Sequence, residues 1–178
     1  VSGEVVYIHE HRTDAAGKFT FIGIPAEATA EFFVKKPGRG TVSTFQRTSS
    51  GSQKLKYAAG RMDVKLMLPV EAKIEGIAVE KDTGKPIEGV QMRCTSGREI
   101  GYFGPRTLVS KQDGTFSIDA LTPERYTLEL VQPSEKLPDW VAEPVEVVTQ
   151  AGKTQTGVKV ELSKGGILEV VVKDAVSR

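Results

Sequence analysis

Ser110-Lys111-Gln112-Asp113-Gly114-Thr115-Phe116-Ser117-Ile118 decides the fold. Gln112-Asp113-Gly114 supplies a side-chain acceptor and a residue free to take positive φ, the two needs of a tight turn. After it, apolar Phe116 and Ile118 alternate with polar Thr115 and Ser117, the period of a half-buried strand. The stretch reads as the bend and returning strand of a β-hairpin. The phrase also occurs earlier, as Thr13-Asp14-Ala15-Ala16-Gly17-Lys18-Phe19-Thr20-Phe21. Gly17 and Gly114 lie 97 positions apart, as do Phe19 and Phe116. A period of that length is one small domain, so the sequence predicts a tandem of similar β-domains rather than one large fold.

Around Gly114, short alternating runs are separated by Gly, Pro and Asp, the signature of an all-β sandwich. Strands are expected at 73–80, 88–95, 107–111, 115–119, 125–132, 140–148 and 155–162. Asp82-Thr83-Gly84-Lys85-Pro86 forms the first turn. Pro144 interrupts 140–148 and cannot donate to a ladder, which places that strand at a sheet edge. Val158, Val160 and Leu162 fall on one face and point inward. The earlier half repeats the latter part of this plan, with strands expected at 5–11, 18–22, 28–36, 41–47, 54–58 and 63–68. Its two opening strands are missing. Residues 166–174 in turn resemble the opening of the second half. Residues 1–69 therefore read as an incomplete unit, 70–163 as a complete one, and 164–178 as the first strand of a further unit. The run at 167–172 is expected to pair with an exposed sheet edge, in this chain or in a neighbouring copy. The short linker Pro69-Val70-Glu71 predicts a fairly fixed angle between units.

Net charge is +1, which gives no global basic field for nucleic acid. Residues 1–69 carry +4 and residues 70–178 carry −3. Lys35, Lys36, Arg39, Arg47, Lys54 and Lys56 lack interleaved aromatics, so they read as a charged strand edge rather than a nucleic-acid surface. No apolar run reaches the roughly 20 residues of a membrane helix, and no direct membrane insertion is expected. A chain opening on Val1 is read as a piece, or a processed product, of a longer polypeptide. Cys94 is the single cysteine; it alternates with Val90 and Met92 and reads as a buried structural thiol. There is no asparagine, hence no N-glycosylation sequon.

The residues carry a family resemblance. Ile74-Glu75-Gly76, Asp82-Thr83-Gly84-Lys85-Pro86-Ile87-Glu88-Gly89-Val90, Asp113-Gly114-Thr115-Phe116-Ser117-Ile118, Leu121 with Pro123, and Tyr126-Thr127-Leu128 resemble the carboxypeptidase regulatory-like domain of the transthyretin-like group. Thr13 to Phe21 with Ile24-Pro25 matches the central segment of the same family, although Ala26-Glu27-Ala28-Thr29 stands where that family has a Gly-Tyr pair. The resemblance implies tandem small antiparallel β-sandwiches of about seven strands each, Greek-key and prealbumin- or immunoglobulin-like. It also implies an accessory, non-catalytic module located outside the cell, in the periplasm or at the cell surface. The expected partners are other domains of the same longer chain, with a protein or glycan ligand beyond them. The alternatives are a carbohydrate-binding or adhesin module, or an accessory domain of a peptidase.

Few residues carry reactive chemistry. His9-Glu10-His11 would set both imidazoles on one face of a strand, with Asp14 as a third metal ligand if the turn folds back. A catalytic zinc needs three ligands and an open position, and no third ligand stands at recognised spacing, so no metal and no other cofactor is expected. Enzymes of related fold draw histidines from separate strands; the two here sit together, no nucleophile elbow is present, and no catalytic residue is assigned. Tyr102, Phe103 and Trp140 are the candidate ligand contacts, as an aromatic platform for a sugar.

Overall fold

The computed structural model describes residues 9–48, 51–54, 56–96, 99–100, 106–131, 140–166 and 169–172. The secondary structure among them is all strand. The first half holds six short strands: β1 (Thr29–Ala30), β2 (Phe33–Val34), β3 (Val42–Ser43), β4 (Phe45–Thr48), β5 (Gly51–Lys54) and β6 (Tyr57–Ala58). The second half holds β7 (Ala72–Glu80), β8 (Gln91–Ser96), β9 (Glu99–Ile100), β10 (Arg106–Val109), β11 (Thr115–Leu121), β12 (Arg125–Leu130), β13 (Trp140–Ala142), β14 (Val145–Val148) and β15 (Thr154–Lys164).

The second half is a β-sandwich. One sheet has the order β11-β7-β15-β13 and the other β10-β8-β12-β14. Their facing side chains make the core: Ala72, Ile74, Met92, Leu121 and Leu162 are fully enclosed, with Cys94, Phe116, Tyr126, Leu128, Val158 and Val160 packed around them. Each enclosed Ile, Leu or Met contributes about 2 kcal/mol relative to exposure. The alternation expected for Val90, Met92 and Cys94, and for Val158, Val160 and Leu162, is met residue by residue.

Pro144 divides the expected strand 140–148 into β13 and β14, so eight strands build the sandwich where about seven were expected. Both pieces are edge strands, one in each sheet, and the chain changes sheets at the proline. The missing N–H there costs no ladder bond. One pair departs from an antiparallel plan: β15 runs parallel to β7, from Thr154 opposite Lys73 to Leu162 opposite Glu80. The long crossover through the other strands permits that direction.

The first half differs from its expected strands. Residues 18–22 and 63–68 form none, and 28–36 and 41–47 break into shorter pieces. Thr44 marks one break: its amide donates to the Phe32 carbonyl at 2.9 Å, and its Oγ1 accepts from the Phe32 amide at 2.8 Å. Two correspondences with the second half survive. Asp14 N–H donates to the Lys18 carbonyl and Gly17 N–H to Asp14, as Lys111 N–H does to Thr115 and Gly114 N–H to Lys111. Gly17 and Gly114 take φ of 77° and 74°. In β1–β6, Thr29 lies opposite Ala58 and Ala30 opposite Tyr57; in β12–β14, Thr127 lies opposite Glu146 and Leu128 opposite Val145. Among the described residues, the first half has no counterpart of β7. In the second half β7 holds both β11 and β15 in their sheet; without one, 18–22 and 63–68 have no ladder to join.

Residues 5–8 of the expected strand 5–11 lie outside the described residues, and 9–11 are not strand. Of the run 167–172, residues 169–172 are described; they form no strand and pair with no edge of this chain, and Val170, Val171 and Val172 are exposed.

Candidate functional site

His9 and His11 are exposed and off any strand, so the shared face assumed for them does not form. The His11 ring instead packs against Phe21, with centroids 5.3 Å apart. Asp14 is committed to its own turn, where Oδ1 accepts the amides of Ala16 at 2.9 Å and Lys18 at 2.8 Å. Among the described residues, no group of three or more His, Cys, Asp or Glu is placed to hold a metal ion.

Cys94 sits in the core, and burial pushes its thiol up to about 11, with Arg106 opposing and Glu124 reinforcing. At neutral pH it is a protonated, shielded thiol, not a nucleophile. Tyr126 is buried beside it, and burial followed by the nearby Glu124 carboxylate raises its phenol. Its hydroxyl donates to the Thr122 carbonyl at 2.9 Å.

Trp140 lies in β13, half-buried against the core. The Lys164 ammonium stands 3.6 Å from the centroid of its ring. Trp140 and Lys164 are directly opposed in the β13–β15 ladder, so the cation–π contact follows from register. One face of the ring is thus occupied by the chain itself. Tyr102 and Phe103 lie outside the described residues, so nothing is said of a platform joining them to Trp140.

The most elaborate polar construction is at the junction of the two halves. It was not legible in the sequence. Arg106, on β10, extends its guanidinium to the end of β11. Nη1 donates to the Asp119 carbonyl at 2.5 Å, and Nη2 to the Ala120 carbonyl at 3.0 Å and Thr41 Oγ1 at 2.9 Å. The Thr41 amide and hydroxyl also donate to the Ala120 carbonyl, at 3.1 and 3.3 Å. Thr122 Oγ1 donates back to the Thr41 carbonyl at 2.6 Å. The Ala120 amide donates to Glu71 Oε2 at 3.2 Å, and the Gly40 amide donates to the Pro69 carbonyl at 2.9 Å. Ala120 takes φ of 52°, in the left-handed region that alanine rarely occupies. The β11–β7 register shifts between Ile118 and Leu121 at the same place. This bulge turns the Ala120 carbonyl toward Thr41 and Arg106. A Cβ at Gly40 would stand 2.9 Å from the Leu121 carbonyl oxygen, so the close approach requires glycine.

A groove of about 420 Å³ runs between β14 and the start of β15, lined by Val145, Val147, Val148, Gln155, Val158 and Lys159 among others.

Neither a protein-family model nor a curated protein matches the chain. Among solved structures it is similar to a DUF3823 family protein from Parabacteroides merdae, at 25% identity and TM-score 0.39, covering 53% of this chain and 46% of that one. It is similar to the minor pilin of Streptococcus agalactiae at 18% identity and TM-score 0.42, covering 90% and 70%. It is similar to the major pilin subunit of Bacillus cereus at 11% identity and TM-score 0.41, covering 80% and 41%. The chain spans about half the length of the Parabacteroides protein.

Proposed function

We propose that this chain is a non-catalytic structural module of a larger secreted or cell-surface protein, and that it holds neighbouring parts of that protein at a fixed angle. The observation that carries the reading is the Arg106–Thr41–Ala120 junction. Three backbone carbonyls and two hydroxyls on both sides of the linker are tied by one guanidinium and its neighbours. Hydrogen bonds of that number, some charge-assisted, oppose hinge motion far better than a linker alone. The chemistry elsewhere agrees: a protonated buried thiol, an aspartate spent on its turn, and an aromatic ring spent on packing.

Small-angle scattering of the 178-residue chain tests it. A rigid module gives one narrow shape distribution, and combining Arg106→Gln with Thr41→Val broadens it. A parent chain that scatters as a broad ensemble, unchanged by those substitutions, would overturn the reading.

A further inference from the structure

Among the described residues, the first half carries an aromatic face left half-exposed, and the element that would cover it is legible from the second half. Phe19, Phe21, Phe32 and Tyr57 form a connected ring cluster, with centroid separations of 5.4 Å for Phe19–Phe21, 5.7 Å for Phe19–Phe32 and 5.6 Å for Phe32–Tyr57. Each of these rings is only half-buried.

The matching positions of the second half are closed by one strand. Phe116, the counterpart of Phe19, lies opposite Gly76 of β7. Val158, on the other side, also lies opposite Gly76. Val64-Lys65-Leu66-Met67-Leu68 repeats Val158-Lys159-Val160-Glu161-Leu162, and Val64, Leu66 and Leu68 are half-buried in alternation. The fit of β7 depends on having no side chain at its centre: a Cβ on Gly76 would stand 2.4 Å from Phe116 Cζ and 2.3 Å from the Val158 carbonyl oxygen.

We propose that residues 9–69 are an acceptor for one extended β-strand, laid antiparallel to 18–22 and parallel to 63–68, that carries glycine opposite Phe19 and apolar residues two places to either side. Ile74 and Ala78 hold those flanking places around Gly76 in β7. The glycine requirement gives the site its selectivity. The run at 167–172 does not meet it, because it contains no glycine. None of the four rings takes part in the hydrogen bonds of the Arg106 junction, so either proposal can fail without the other.

The test uses the whole chain and two synthetic peptides, one with the sequence of residues 72–80 and one carrying Gly76→Val. Amide hydrogen exchange locates binding and calorimetry measures it. The glycine peptide is expected to bind and to protect amides within 18–22 and 63–68. The valine peptide is expected to bind about tenfold more weakly or worse, because its side chain overpacks the ring. In a Phe19→Ala chain that difference should shrink to about twofold or less. No binding of the glycine peptide, equal binding of both peptides to the parent chain, or protection confined to 72–164 would each overturn the proposal.

Discussion

Arg106 and Thr41 meet across 65 positions of sequence: Nη2 of one donates to Oγ1 of the other at 2.9 Å. The contact joins the edge strand β10 to the segment that precedes β3, and both residues also bond the Ala120 carbonyl. Because the acceptor is shared, the two side chains act as a unit. A double-mutant cycle of Arg106→Gln and Thr41→Val in urea should return a coupling of about 1 kcal/mol. Strict additivity would show that the two contacts are independent.

Gly76 and Gly84 make a controlled comparison. Gly84 takes φ of 69° with open space around a built Cβ, whereas Gly76 is confined between Phe116 and Val158. Gly84→Ala should cost about 1 kcal/mol, from backbone strain alone. Gly76→Ala should cost about 2–3 kcal/mol, from overpacking at the centre of the sheet. Equal losses in chemical denaturation would contradict the packing argument.

Cys94 links stability to alkaline pH. Its thiol is raised in the folded state to about 11, from 9.0 unperturbed. The unfolded chain therefore loses this proton first, and the contribution is intact below pH 9 and lost as pH rises toward 11. The denaturation midpoint should fall across that window, and Cys94→Ala should flatten the fall while lowering stability at neutral pH. A thiol reagent should label the native protein only as fast as it opens. Rapid labelling at pH 7 would show the thiol to be accessible.

Trp140 reports on its partner. With the Lys164 ammonium over its ring, the indole is shielded on one face. Lys164→Ala should increase collisional quenching of Trp140 fluorescence by acrylamide. The chain holds one tryptophan, so the signal has a single source. Unchanged quenching would mean that the cation–π contact does not persist in solution.

The second half was largely legible because its side chains follow the period of two and its turns carry their own chemistry. Pro144 announced an edge, and Val158, Val160 and Leu162 announced an inward face. The first half was less so. Phe19 and Phe21 alternate as strand residues should, yet 18–22 forms no strand. A strand needs a neighbour to satisfy its backbone, and alternation says nothing of whether that neighbour is present. The candidate sites fared differently again. The histidines stand out as residue types, whereas Arg106 and Ala120 carry no local signal, since their roles arise from contacts far apart in sequence.

By itself the sequence determined the all-β class, the turns at Gly17 and Gly114 and the inward faces of the sandwich in the second half, because alternation and turn chemistry are properties of neighbouring residues. Only the tertiary structure decided the parallel β7–β15 pair, the sheet change at Pro144, the junction through Arg106 and the uncovered rings around Phe19. Those depend on which distant segments meet, and on where a Cβ finds room.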